Sequence, residues 1–246
     1  MSTNWLVDLV PATRPKRVAY LFPHAGAGVS AVLALGRALA PDPHPVAIRL
    51  PGRETLLDEP PITDLPTLAK KLAHAIRTHA GGAQTILYGH SSGSILAYET
   101  ARTLQPHTPA ALLATSAQQA PGTPVHTTAG CWNHPDNEFF AQVIADGYLP
   151  PELLNTPDIL QIIAPALRAD YQATHQHLTT TTHWTPLTTP ILTIHATQDP
   201  TVTPQDLTAW STLTTHHHTT THITAGHNLL RDHPTQLANT LHHALP

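Results

Sequence analysis

The stretch QTILYGHSSGSILAYETARTL (84–104) decides the fold. Residues 84–88 read as an apolar strand, and 94–104 carry a helical pattern. Between them lies Gly89-His90-Ser91-Ser92-Gly93, a match to G-x-S-x-G. A strand that turns abruptly into a helix holds a serine exposed at the tip of the turn. Larger side chains two residues before and after the serine would collide there, and glycine stands at both places. The pentapeptide alone is frequent by chance. Its place between a strand and a helix argues for Ser91 as a nucleophile over a structural Gly-Ser turn.

The neighbouring segments extend the same alternation. Residues 17–22 read as a buried strand, followed by the loop PHAGAG (23–28) and an apolar helical pattern over 30–40. A strand over 45–50 and a Pro-containing loop over 51–63 come next. Asp64 is a candidate cap for a helix with apolar Leu68, Leu72, Ala75 and Ile76 on one face. Residues 110–115 form a further strand. Strand–helix alternation implies a largely parallel sheet with helices on both faces. The alternation breaks after Gln118. Over about 121–189 the one helical candidate starts near Thr156, with Pro165 expected to bend it. Such an insertion is what a lid over the C-terminal edge of a sheet looks like. The sheet resumes at 190–196 and 221–224, with helices over 204–213 and 229–244. The expectation is one domain over 1–246 with a lid insertion at about 121–189.

Bulk properties bound the function. The chain has 246 residues, 41% of them hydrophobic, enough for an ample core without staples. Only 11% are Asp, Glu, Lys or Arg, about half the usual share. There are 12 Lys+Arg against 16 Asp+Glu and no basic run, so a nucleic-acid partner is not expected. The 20 histidines make the net charge sensitive to mild acid. The single cysteine, Cys131, excludes an internal disulfide. No stretch is apolar enough for a membrane span, and 1–20 lacks a signal-peptide pattern, so a soluble, cytoplasmic protein without a membrane partner is expected.

A serine nucleophile needs a base and an acid, in the chain order Ser, Asp or Glu, His. Asp199 follows the strand at 190–196, and His227 lies in Ala225-Gly226-His227 before the last helix. The loop after the strand at 110–115 reads SAQQAPG and holds no carboxylate, which favours Asp199. Singly, Asp199 is also a turn residue before Pro200 and His227 one histidine among many; the three together make a triad. Oxyanion donors are expected from the backbone N–H of Ser92, after the nucleophile, and of Ala25, in the loop 23–28. Other features carry less. His216-His217-His218 has no surrounding ligand set, and a solvated loop is the simpler reading than a metal site. His242-His243 read as exposed, His90 as packed under the turn, and Cys131 as a buried or idle thiol. Trp132, Phe139 and Phe140 fit an acyl tunnel and a lid core equally well.

FPHAGAG (22–28), LPGRE (50–54), GHSSG (89–93), Asp199-Pro200 and AGH (225–227) together resemble the type II thioesterases that accompany nonribosomal peptide and polyketide synthases. The likeness covers nearly the whole chain, including PPELLNTPDILQIIAPALRADY (150–171). It implies an α/β-hydrolase fold and hydrolysis of acyl thioesters on phosphopantetheinyl carrier proteins, clearing misprimed or stalled modules. It also implies Ser91, Asp199 and His227 as the triad, Ala25 and Ser92 as oxyanion donors, acyl or peptidyl carrier domains as partners, and no metal or bound cofactor beyond the pantetheine of the substrate. Two segments depart from the family pattern. SAQQAP (116–121) stands where basic residues are frequent, and ATQDP (196–200) lacks a frequent extra Asp or Gly. Sparse positive charge leaves the docking site for an acidic carrier open. Fold and triad do not separate this activity from chain-releasing or cyclising thioesterases or general carboxylesterases. A non-enzymatic carrier-binding protein is the reading from another class, against which the complete triad argues.

Overall fold

The computed structural model describes residues 4–11, 14–125, 127–145 and 148–246. A seven-stranded sheet is built from β1 (Leu6–Asp8), β2 (Arg17–Phe22), β3 (His44–Ile48), β4 (Gln84–His90), β5 (Leu112–Ser116), β6 (Ile191–Ala196) and β7 (His218–Ile223). Its order is β1-β3-β2-β4-β5-β6-β7. β1 runs antiparallel to β3, and every other pairing is parallel. The C-terminal ends of β2, β4, β6 and β7 therefore open onto one edge, where loops of such sheets carry function.

Central strands are apolar on both sides because both faces are covered. Val18, Tyr20 and Phe22 of β2 join one core, and Ala19 and Leu21 join the other. The first core is closed by α2 (Leu65–Ala80) and α3 (Ser92–Leu104). The second is closed by α1 (Val29–Leu39) together with the C-terminal helices. Asp64 caps α2 as expected: its carboxylate accepts the Thr67 N–H at 2.9 Å.

Between β5 and β6 the chain forms a 3-10 turn (Thr127–Asn133), α4 (Asp136–Ala145), a second 3-10 turn (Pro151–Asn155) and α5 (Pro157–Thr180). The first 3-10 turn, α4 and α5 share a separate apolar cluster around Phe139, Phe140, Val143 and Leu167. Pro165 lies inside α5. The C-terminal part of α5 reaches the main body, where His177 Nε2 is 3.1 Å from the buried Glu99 of α3. Glu99 is also held by Arg102 at 2.6 Å.

Several elements differ from the sequence reading. β1 is too short for an alternation signal, and α4 has too little amphipathic contrast to stand out beside Pro135 and the glycines around it. The tract 215–222, which reads as low complexity, supplies most of β7, since Thr is a good strand former at an edge. The helix expected over 204–213 is α6 (Pro204–Thr208) followed by a 3-10 turn (Ala209–Leu213). The closing helix divides into α7 (Leu229–Asp232) and α8 (Pro234–Ala244), because the residue before Pro234 is disfavoured in helical geometry. Of the insertion expected over 121–189, residues 126, 146 and 147 lie outside the described residues, as do 1–3, 12 and 13 of the N-terminal stretch.

Asp64→Ala removes the cap of α2 and is expected to cost about 1 kcal/mol, a fall of ~2–4 °C in Tm. Thermal denaturation of the variant beside Asp64→Asn, which keeps an accepting oxygen, checks this. Equal losses in the two would show that the cap bond is not responsible.

Candidate active site

Ser91 links β4 to α3 at φ 53° and ψ −131°. A positive φ is strained for serine, and the surroundings must enforce it. The Ser91 N–H donates to Ser116 O at 2.9 Å and the Ser94 N–H to Ser91 O at 2.8 Å. The Ser94 hydroxyl donates back to Gly89 O at 2.8 Å. A Cβ on Gly89 would lie 2.4 Å from Ser94 Cα, and one on Gly93 2.4 Å from Pro23 O. No real Cβ tolerates such contacts, so the turn requires both glycines.

The three residues expected to act together meet at the C-terminal edge of the sheet. His227 Nε2 is 3.3 Å from Ser91 Oγ, and His227 Nδ1 is 2.8 Å from Asp199 Oδ2. The loops that carry Asp199 and His227 are tied together: Thr197 N–H donates to Ile223 O and Gln198 N–H to Ala225 O, both at 2.9 Å. Asp199 Oδ1 accepts the Thr201 N–H at 2.9 Å and the Thr201 hydroxyl at 2.6 Å. Burial works to raise the Asp199 pKa, but the hydrogen bonds and charge of His227 and the bonds from Thr201 outweigh it and hold the carboxylate below its usual range. Thr201 was not legible as a site residue, although a Thr two positions after a loop Asp is a recurrent partner of that carboxylate.

Two further rings surround His227. Tyr148 lies 4.3 Å from it and His90 5.6 Å, centroid to centroid. His90 packs beneath the turn, as expected, with Nδ1 2.8 Å from Ser116 Oγ. Burial, and then the proximity of His227, lower the His90 pKa well below the ordinary histidine value. The same causes lower His24 to about 4. Both rings stay neutral near pH 7.

Ser92 is the first residue of α3, where backbone N–H groups lack helical partners. Ser92 and Ala25 flank Ser91 in the wall of a cavity of about 400 Å³. Leu149, Leu167 and Leu178 make part of that wall apolar, while Gln118, Thr174 and His175 add polar groups. Trp132, Phe139 and Phe140 are not in it; Phe139 and Phe140 are core of the helical insertion. Cys131 is buried in the same cluster. Among the described residues no group of three His, Cys, Asp or Glu is placed to hold a metal ion. His216 and His217 are exposed, but His218 is in β7 with its ring 2.9 Å from Thr193 Oγ1. His242 departs from the exposed reading: it is half-buried, with Nε2 3.2 Å from Leu39 O, and joins α8 to α1. No described helix is long and apolar enough to cross a membrane.

Comparison with known proteins gives this geometry its context. The family described as the thioesterase domain matches residues 19–245. Phenyloxazoline synthase MbtB of Mycobacterium tuberculosis is 29% identical over 93% of this chain, which spans only 16% of that relative's length. RedJ, a thioesterase from the prodiginine biosynthetic pathway in Streptomyces coelicolor, superposes with a TM-score of 0.83 at 27% identity, covering 94% of each chain. BorB, a type II thioesterase from the borrelidin biosynthetic cluster, gives 0.85 at 27% identity, covering 99% of this chain and 98% of its own.

The neutral histidines predict a pH dependence of stability. His24 has a folded pKa below its unfolded value, so between about pH 6.5 and pH 4 the unfolded chain binds the proton and the native one does not. Stability therefore falls as pH falls through that window, by up to about 1.4 kcal/mol per pH unit for each such group. Asp199 adds its own loss only lower, as pH drops below the usual carboxylate value of 3.8. Urea denaturation at pH 7, 6 and 5 should show a shallower slope for His24→Asn than for the wild type. Identical slopes would refute the assignment.

Proposed function

The chain belongs to the thioesterase family, and from that premise we propose that it is a type II thioesterase hydrolysing acyl thioesters on phosphopantetheinyl carrier proteins. The observation that carries the reading is the continuous contact from Asp199 through His227 to Ser91 at the wall of a cavity of about 400 Å³. In this reading the segment 121–189 acts as a lid, and the partners are carrier domains of a peptide or polyketide synthase.

The reaction has two halves. His227 Nε2 takes the Ser91 proton as Oγ attacks the thioester carbonyl, and the tetrahedral oxyanion forms beside the Ala25 and Ser92 N–H groups. Asp199 accepts from His227 Nδ1, which fixes the tautomer and stabilises the imidazolium. Collapse expels the pantetheine thiolate, and His227 returns the proton to it. A water molecule then attacks the acyl-serine as His227 takes its proton, and His227 returns that proton to Ser91 Oγ as the acyl–oxygen bond breaks and the acid is released. Preorganisation matters because the donors must meet a charge that exists only in the transition state. Each step is assigned to a residue of this chain; the pantetheine arrives with the substrate. In this reading the reaction clears misprimed or stalled acyl groups from the carrier.

The deciding measurement is acyl release from a loaded carrier protein, with an acetyl and a longer chain, wild type beside Ser91→Ala. Release by the wild type alone is expected, and full turnover by Ser91→Ala would overturn the assignment of the nucleophile. Turnover of a simple oxygen ester with no release from the carrier would instead mark a general esterase. Asp199→Asn keeps the shape but not the charge and is expected to lower kcat by about 10⁴-fold. A loss under tenfold would remove Asp199 from the triad.

A further inference from the structure

Asp170 and Arg53 lie outside the triad, yet they join three segments at the site. Arg53 comes from the loop after β3, Asp170 from α5, and between them lies the loop 23–28. The guanidinium holds the carboxylate with two parallel bonds, Nη1 to Oδ2 at 2.7 Å and Nη2 to Oδ1 at 2.9 Å. The side chains are only 6% and 11% exposed. Asp170 Oδ2 also accepts the Gly26 N–H at 2.8 Å, and Arg53 Nη1 donates to Ala27 O at 3.0 Å.

Those contacts set the shape of one turn. The Ala27 N–H donates to His24 O at 3.1 Å, closing a four-residue turn with Ala25 and Gly26 at its centre. Gly26 has φ +72°, the feature of a type II turn at its third position. A trans peptide points its N–H opposite to its C=O. With His24 O directed into the turn, the Ala25 N–H is directed out of it, and Ala25 is part of the cavity wall. The Asp170 carboxylate captures the Gly26 N–H and so holds this turn. Leu167, one turn earlier on α5, closes the space above: a Cβ on Gly26 would meet Leu167 Cδ1 at 2.9 Å.

We propose that the Arg53–Asp170 pair is a positioning clamp that fixes the Ala25 N–H for the oxyanion and ties that donor to the docked state of α5. The proposal rests on the thioesterase reading for its chemistry. Leu167, Tyr171 and Thr174 of α5 line the cavity, so the helix that touches the acyl chain also sets the donor. Displacement of α5 would remove the carboxylate from Gly26 and leave Arg53 without its partner. The donor geometry would be lost together with the wall that α5 gives the cavity. A lysine in place of Arg53 would supply charge but not the two-pronged geometry.

The test compares wild type with Asp170→Asn, Asp170→Ala, Arg53→Lys, Arg53→Ala and the double alanine variant, each checked for folding by thermal melting. Turnover is read on an S-acyl-N-acetylcysteamine thioester. Affinity is read for an acyl-chain boronic acid, which forms a tetrahedral adduct on serine, and for the matching amide, which does not. The clamp predicts kcat lower by about 10- to 100-fold, with KM within about threefold. Boronate affinity should fall in parallel, amide affinity should hold, and Arg53→Lys should fail to rescue. The double variant should be no worse than the weaker single, because the two residues act as one unit. Unchanged kcat in folded variants, or equal weakening of boronate and amide, would overturn the clamp. If the alanine variants do not fold, the isosteric Asp170→Asn decides. The boronate-to-amide ratio reads the clamp without turnover. Absence of thioester turnover in the wild type would therefore sink the proposed function separately.

Discussion

The closeness of α3 to β2 and β4 is the constraint on which the site depends. Gly93 lies so near the end of β2, and Gly89 so near the start of α3, that a single added carbon at either would overlap backbone. Only that proximity forces Ser91 into its left-handed backbone conformation, which costs on the order of 1–3 kcal/mol and must be over-determined by its surroundings. The surroundings are the buried ladder of β4 against β2 and β5, together with the Ser94 hydroxyl and Ser116 carbonyl beneath the turn. The strain is thus stored in a buried part of the molecule, and the serine stands at its rim.

The parallel sheet does the rest of the positioning. Loops from β2, β4, β6 and β7 leave the same edge, so residues far apart in sequence meet without long excursions of the chain. Asp199 and His227 are brought together by backbone bonds between their own loops, and the Asp199–His227 contact is added to a framework that already exists. The helical insertion contributes differently. It carries its own apolar cluster and also meets the main body through polar pairs, among them Glu99 with His177 and Arg53 with Asp170. Isolated buried ion pairs add little net stability, because desolvation offsets their attraction. Pairs at such places specify one docked arrangement over others.

The site was legible because its residues are bound to local patterns. Ser91 has glycines on either side, Asp199 follows an apolar strand, and His227 precedes the final helix, so a linear reading finds each. Tyr148 and Asp170 carry no such mark; their contacts with His227 and Gly26 join distant parts of the chain that no local pattern encodes. The same limit explains the elements missed. β1 exists because it pairs with β3, and β7 because β6 offers an open edge to a run of threonines. The aromatic pair Phe139 and Phe140 fitted tunnel and core equally until packing placed both in the core of the insertion.

Three imidazoles crowd the proposed nucleophile, and only one can usefully carry a proton. His90 is 5.6 Å from His227, and His24 is 5.8 Å from His90. Were either charged, it would oppose the imidazolium that the proposed mechanism forms on His227. Burial removes that conflict by keeping both neutral, which makes them polar packing instead of competing bases. Asp199 completes the asymmetry, since its carboxylate faces His227 alone among the three. The proposed base is thus set apart from its neighbours by their burial and by its direct contact with the Asp199 carboxylate.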